Sequence, residues 1–276
     1  MAPTVDDEPE AVKISTPEPG IRIIAINRPH RKNAINTATG LKLYKAFLDF
    51  ENDPEAKIAI FHGQNGTFCA GYDLHTVSSS PTLSAQVPNL DPNDASRTPG
   101  PMGPSRLRIK KPVISAVSGW AVAGGTELSL LGDMRVVEED AHFGIFCRRW
   151  GVPLLDGGTV RLQAIIGIGR AMDMILTGRP VGAAEALSWG LANRVVPKGK
   201  CLEGAMELAK ELLRFPYECM RADRASAYFA AFDAGSHEEA IRNEFVNGLE
   251  CLKNEGVAGA GRFSKGAGRH ASFAKL

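Results

Sequence analysis

No stretch of this sequence approaches the roughly eighteen consecutive apolar residues that cross a bilayer, so a membrane span is not expected. Neither sign of charge is in excess: 32 Lys and Arg balance 31 Asp and Glu, leaving a formal +1. That balance removes the global electrostatic case for nucleic acid or an anionic membrane surface as partner. Cysteine is sparse and odd in number (Cys69, Cys147, Cys201, Cys219, Cys251), with no C-x-x-C spacing. The pattern argues against a disulfide framework and a structural zinc site, and a reducing compartment is expected. The first ten residues, M-A-P-T-V-D-D-E-P-E, are acidic and polar, unlike a secretory signal or an Arg-rich transit peptide. No G-x-G-x-x-G follows a strand and no P-loop is present, so neither a metal nor a redox cofactor is expected.

What is there is a chain of 276 residues, long enough for one large domain, or one domain with an appendage. Its organising stretch is G-W-A-V-A-G-G-T-E, Gly119 to Glu127, which follows the β-branched strand Val113 to Val117. Gly124 and Gly125 fall where a strand should turn into a helix. Without a Cβ they let a ligand reach main-chain N–H groups at the positive end of that helix. Glu127 stands one turn inside it, as a general base beside those amides or as a dipole partner on a solvated face. A second small-residue turn, F-C-A-G-Y-D-L from Phe68 to Leu74, ends the apolar strand Ile58 to Phe61. Two such turns can make a two-donor hole for a developing oxyanion.

Taken in order, residues 1–11 are expected to be a disordered tail, followed by short strands at Val12 to Ser15 and Ile21 to Ile26. The loop N-R-P-H-R-K-N-A-I-N, Asn27 to Asn36, carries Arg28, His30, Arg31 and Lys32, as a phosphate-binding or merely solvated cluster. A helix is expected from Thr37 to Phe50. Residues 75–104 are so rich in Ser, Pro, Asn and Asp that a mobile loop beside the site is expected, as a lid or a functionless insertion. Strands and helices alternate up to about residue 198, and helices alone follow over 199–276. Leu202, Met206, Ala209 and Leu213, and then Ile241, Phe245, Leu249 and Leu252, fall at helical spacing. An α/β core over 12–198 with a helical C-terminal region is the fold class this implies.

Five segments in order resemble the crotonase superfamily, the enoyl-CoA hydratase/isomerase family. They are N-R-P-H-R-K-N-A-I-N, F-C-A-G-Y-D-L, K-P-V-I-S-A-V-S-G-W-A-V-A-G-G-T-E-L, F-G-I-F-C-R-R-W-G-V-P and L-T-G-R-P-V-G-A-A-E-A-L-S-W-G-L-A-N-R-V-V-P, spanning about residues 20 to 198. The resemblance implies a spiral of strand-strand-helix turns, a helical C-terminal part that trimerises, a homotrimer or dimer of trimers, and acyl-CoA substrates. It implies the Ala70 and Gly124 backbone N–H groups as oxyanion donors and Glu127 as the first catalytic glutamate. It also implies coenzyme A held near the two loops, at His30, Arg31, Lys32, Ala34, Ala70, Asp73 and Leu74.

The family's second glutamate should stand four residues before Gly151, where this sequence has Cys147. Asp156, in the same loop, is the natural substitute, or else a cap on the helix beginning near Gly157. With Glu127 and Asp156 both available, a hydratase-type reaction is expected first and isomerisation by Glu127 alone second. Thioester hydrolysis by a Cys147 thiolate, its pKa lowered by Arg148 and Arg149, and a non-catalytic binding subunit are the further alternatives. The last three residues, Ala274-Lys275-Leu276, have the small-basic-leucine form that a peroxisomal import receptor reads. A peroxisomal location is expected from them, and a cytoplasmic one if the chain is bacterial.

Overall fold

A computed structural model describes residues 8–79 and 98–266 of the chain. Strands β1 (Val12–Glu18), β2 (Ile21–Ile26), β3 (Ile58–Gly63) and β4 (Val113–Val117) belong to the main sheet. A short strand β5 (Trp120–Val122) precedes β6 (Met134–Glu138), and β7 (His142–Gly144), β8 (Val181–Gly182) and β9 (Arg194–Val196) follow. The main sheet is six-stranded in the order β1-β2-β3-β4-β6-β9, and all its pairings are parallel except the β1–β2 hairpin. β3 and β4 are buried at every position, which is why they read as unbroken apolar runs instead of alternating ones. β1 tolerates Pro17 because it is an edge strand, and a bulge between Ser15 and Glu18 absorbs the misfit.

A second, three-stranded sheet is ordered β5-β7-β8, and a bridge between Cys69 and Ala121 extends it toward the 68–73 turn. Each long strand of the first sheet thus leads to a short extended piece in the second layer and then to a helix. β3 leads through Cys69 to α2 (Leu74–Ser79), and β4 leads through β5 to α3 (Gly124–Ser129). This repeated unit is the spiral that the resemblance implies. It stacks the 68–73 turn against the β5–α3 turn.

The helix α1 (Thr37–Asn52) starts where the Asn36 side chain accepts the Thr39 N–H, and it buries Leu43, Ala46, Phe47 and Phe50 at helical spacing. Phe47, Phe61 and Phe68 pack edge to face, with ring centroids 5.2 and 5.3 Å apart, and tie α1 to β3 and the 68–73 turn. Past its C-terminus the buried Lys111 ammonium donates to the carbonyls of Phe50, Asp53 and Ala56 at 2.8, 2.6 and 2.9 Å. Lys111→Met keeps the length of the side chain and strands these carbonyls. We expect it to cost roughly 3 kcal/mol in chemical denaturation, and a midpoint equal to wild type would rule out that role.

Helices α4 (Gly158–Ile166), α5 (Ile168–Thr177) and α6 (Ala183–Trp189) complete the layers before β9, and α7 (Cys201–Leu212) runs across the point, after Ala209, where the chain divides into two compact units. The second unit contains α8 (Tyr217–Phe232), α9 (His237–Cys251), a π-helical turn (Leu252–Gly256) and α10 (Val257–Ser264). The periodic residues Ile241, Phe245, Leu249 and Leu252 are all exposed, so their stripe is a surface and not a core face. Among the described residues no helix is long and apolar enough to cross a membrane.

Two expectations about disorder need correcting. Residues 8–11 are not part of a disordered tail: Pro9–Ala11 form a 3₁₀ turn, Ala11 is buried, and Glu8 pairs with Arg28 at 2.8 Å. Of the 75–104 stretch, 75–79 lie in α2, and Gly100 and Gly103 exchange backbone hydrogen bonds in a strap over 99–106. Composition missed the first because Arg28 lies 20 residues from Glu8, and the second because the strap is held by Asp156, more than 50 residues on. Residues 80–97 and the Ala274-Lys275-Leu276 tripeptide lie outside the described residues.

Candidate active site

The β5–α3 turn is built by close backbone approach. A Cβ on Gly125 would lie 2.0 Å from the Cys69 carbonyl oxygen, so only glycine lets the two turns meet. Across that contact Cys69 N–H donates to the Trp120 carbonyl at 2.9 Å, and Val122 N–H to the Cys69 carbonyl at 3.0 Å. Ala123, just before the helix, holds φ +53° and ψ −125°, a strained conformation for a residue with a Cβ, of a kind that costs on the order of 1–3 kcal/mol. Gly124 is the first residue of α3, and among the described residues its N–H meets no acceptor.

Glu127 is 2% exposed, so it is not a dipole partner on a solvated face. Its Oε1 accepts from the Asp156 and Gly158 N–H groups at 2.9 and 2.8 Å, which sets the carboxylate at the N-terminus of α4. Gly158 permits this, because a Cβ there would lie 2.8 Å from Glu127 Cγ. Oε2 takes no donor among the described residues. Burial, and then the neighbouring Asp156, push the Glu127 carboxyl up to about 8, against the smaller pull of the two amides.

Asp156 is also buried, and its carboxylate does not cap α4. The cap position is Gly157 and it makes no side-chain bond, while Glu127 takes the Gly158 N–H in its place. Asp156 Oδ1 turns instead to the strap, where it accepts from the Met102 N–H at 3.0 Å and from the Ser105 hydroxyl. Its other oxygen is free of protein donors among the described residues. Burial raises this carboxyl too, and the Ser105 and Met102 donors oppose the rise.

Both carboxyl groups border a cavity of ≈ 760 Å³, together with Ala70 and Gly124. Its remaining walls are largely apolar, with Tyr72, Met102, Trp120, Phe146, Trp150 and Leu155 prominent. The arrangement sets two buried carboxyl groups and an open helix N–H around one apolar space.

The family model for enoyl-CoA hydratase/isomerase matches residues 16–244. The chain belongs to the enoyl-CoA hydratase/isomerase family. It is 39% identical over 194 residues to the enoyl-CoA hydratase EchA19 of Mycobacterium tuberculosis, an alignment covering 68% of this chain and 69% of the relative. A carnitinyl-CoA dehydratase of Salmonella typhi is 36% identical, over 69% of this chain and 70% of the relative. A crystal structure of an enoyl-CoA hydratase from Mycobacterium tuberculosis H37Rv superposes with a TM-score of 0.81 at 29% identity, covering 92% of this chain and 96% of the other.

Of the residues that likeness to the family nominates, the fold brings Lys32, Ala70, Leu74, Gly124, Glu127 and Asp156 onto the one cavity. His30, Arg31, Ala34 and Asp73 are not on its wall. Asp73 is buried against Arg28 at 3.4 Å and approaches Arg31 at 3.9 Å, and His30 faces Glu8 at 3.5 Å. Arg28, counted in the basic cluster, is buried by Glu8, Asp73 and the Ala34 carbonyl, so it is not a solvated phosphate ligand. Its charge serves the loop.

The expectation that Ala70 offers a free donor also needs correcting. Its N–H donates to the Lys32 carbonyl at 3.1 Å, and Lys32 and Asn33 both take left-handed conformations to bring that loop in. Asn33, which sequence reasoning passed over, holds the loop down. It accepts the Arg28 N–H at 2.8 Å and donates to the Gln64 and Thr67 carbonyls at 2.9 and 2.6 Å. Cys147 lines the cavity as a buried thiol. Burial and the nearby Glu127 push its pKa up, outweighing Arg148, whose Nε donates to the Ile175 carbonyl. Arg149 lies over the Phe146 ring. The expected lowering of the Cys147 pKa by its arginines is therefore reversed.

Proposed function

We propose that this chain hydrates 2-enoyl-CoA thioesters and catalyses the reverse dehydration, with Glu127 and Asp156 as the acid/base pair. The observation that carries the reading is the pair of buried carboxyl groups on one wall, each with one oxygen held by protein donors and the other left for a ligand. Burying two carboxyls together opposes stability, and a fold built only for binding has no use for them.

In this reaction one carboxylate takes a proton from water as its oxygen adds to C3, and the other carboxyl gives a proton to C2. Between these events negative charge lies on the thioester oxygen, and in this reading the Gly124 N–H stabilises it. A preorganised donor of this kind is worth about 3 kcal/mol in the transition state. A two-donor hole requires the Ala70 N–H to be shared between the Lys32 carbonyl and the thioester oxygen. The scheme uses no metal or redox cofactor. The relatives, named as an enoyl-CoA hydratase and a carnitinyl-CoA dehydratase, support the same class of reaction.

The test is to incubate the purified chain with 2-enoyl-CoAs of graded length and follow loss of the conjugated thioester and gain of the 3-hydroxyacyl product. No hydration of any of them would overturn the reading. Isomerisation of 3-enoyl-CoA by Glu127 alone is the second reading, favoured by the commitment of Asp156 Oδ1 to the strap. A Cys147 hydrolase is disfavoured because the thiol is held protonated. We also place coenzyme A along Lys32, Ala70 and Leu74, and a trimer contact on the exposed Ile241, Phe245 and Leu249 stripe of α9. The relatives named above come from bacteria, which have no peroxisomes, and lend the C-terminal tripeptide no support as an address. The cytoplasm is the compartment we propose.

A further inference from the structure

The strap over 99–106 does more than close one side of the cavity. Met102 packs onto Gly124, where an added Cβ would lie 2.7 Å from its sulfur, and Ser105 is wholly buried behind it. The Ser105 hydroxyl and the Met102 N–H converge on the same oxygen, Asp156 Oδ1. Two donors on one carboxylate oxygen suit the anion, as the two backbone donors on Glu127 Oε1 also do, so the charges nearby distinguish the two carboxyls. Those around Asp156 favour its anion. Arg161, on α4, donates to the Ser105 carbonyl at 2.6 Å and to the Asp156 carbonyl at 3.3 Å, and Arg106, on the strap, donates to the Leu155 carbonyl at 3.1 Å. Against them stand Glu127 on α3 and, from the 68–73 turn, the neutral Cys69 thiol and Tyr72 phenol, both of which sense the Asp156 charge. Among charged neighbours, Asp156 acts first on Glu127 and raises its carboxyl, whereas Arg106 and Arg161 act on Asp156 and oppose its rise.

We propose that Ser105 is a positioning residue which holds Asp156 as the anionic, proton-accepting member of the pair and leaves Glu127 as the member that carries the proton. Ser105 touches no reacting atom and acts through Asp156. In the reaction proposed above, on which the kinetic part of this inference rests, water loses its proton to Asp156 Oδ2 as its oxygen bonds to C3. The C2–C3 π electrons move onto the thioester oxygen as an enolate, Glu127 protonates C2 as the enolate collapses, and solvent exchange returns the Asp156 proton to Glu127. No oxidant or reductant enters.

The experiment is a carboxyl titration of the intact chain by ¹³C NMR, with Asp156→Asn and Glu127→Gln used to identify the two signals. Asp156 should ionise before Glu127 in wild type. In Ser105→Ala the Asp156 step should rise by about one pH unit or more, the worth of one hydrogen bond to a charged acceptor. The acid limb of the hydration pH profile should move up with it, with kcat at neutral pH falling about tenfold and KM changing less than about twofold. In the Asp156→Asn background, Ser105→Ala should leave the Glu127 titration where it was. An Asp156 step unmoved in Ser105→Ala, Glu127 ionising first in wild type, or a Glu127 shift surviving in the double variant would each overturn the proposal. Failure of wild type to hydrate any enoyl-CoA would instead overturn the reaction assignment, and the titration would still decide what Ser105 does.

Discussion

Glu127→Gln should cut hydration by about a hundredfold or more while leaving acyl-CoA binding within a few-fold of wild type. The amide keeps the shape of the carboxyl, and its oxygen can still accept the Asp156 and Gly158 N–H groups that fix Oε1 at 2.9 and 2.8 Å. What it loses is the proton that moves. The same variant should be more stable than wild type at alkaline pH. The folded Glu127 carboxyl is raised above its unfolded value by burial and by Asp156, so its favourable contribution is fully present below the unfolded pKa. It is lost as pH rises through the folded value, which lies near 8. Glutamine has no charge to bury, and a gain of about 2 kcal/mol at pH 9, absent at pH 4, is expected by urea denaturation at the two pH values. Wild-type turnover in Glu127→Gln would remove the residue from the mechanism. A stability difference independent of pH would remove the raised carboxyl.

Asp156→Asn should abolish hydration of a 2-enoyl-CoA, a loss of at least two orders of magnitude, yet spare part of any 3-to-2 isomerisation. Hydration needs a group to take the proton of water besides the one that serves C2, whereas isomerisation needs a single shuttling base. Asparagine can still accept from Met102 N–H and Ser105 Oγ–H, so the strap should stay in place, and circular dichroism checks that it does so without misfolding. Cys147→Ser should change either reaction by less than about threefold, because its thiol is held protonated by burial and Glu127. Normal hydration by Asp156→Asn would leave Glu127 working alone. Inactivity confined to Cys147→Ser would bring thiol chemistry back.

The α/β alternation, the two small-residue turns and Glu127 were legible in the sequence because each depends on neighbours within one strand or one helical turn. Apolar runs such as Val113 to Val117 report burial on both faces, and the spacing of Gly124, Gly125 and Glu127 carries its own geometry. The role of Asp156 was not legible. A side chain just before a helix has the same local pattern whether it caps that helix or turns away, and the outcome here was decided by Met102 and Ser105, 54 and 51 residues earlier. Long-range partners also overruled composition in the basic loop, where Glu8 and Asp73, 20 and 45 residues from Arg28, took a charge that looked free for phosphate. They did so again at Ala70, whose N–H the Lys32 carbonyl reaches only because Asn33 pins its loop to Gln64 and Thr67. The sequence by itself determined the secondary elements, the turn chemistry and one carboxylate, since short-range sterics and hydrophobic periodicity act along the chain. Which second carboxylate faces the first, which N–H groups stay open and which charges are already paired were decided only by tertiary structure, since burial and hydrogen-bond satisfaction depend on what the fold brings across from elsewhere.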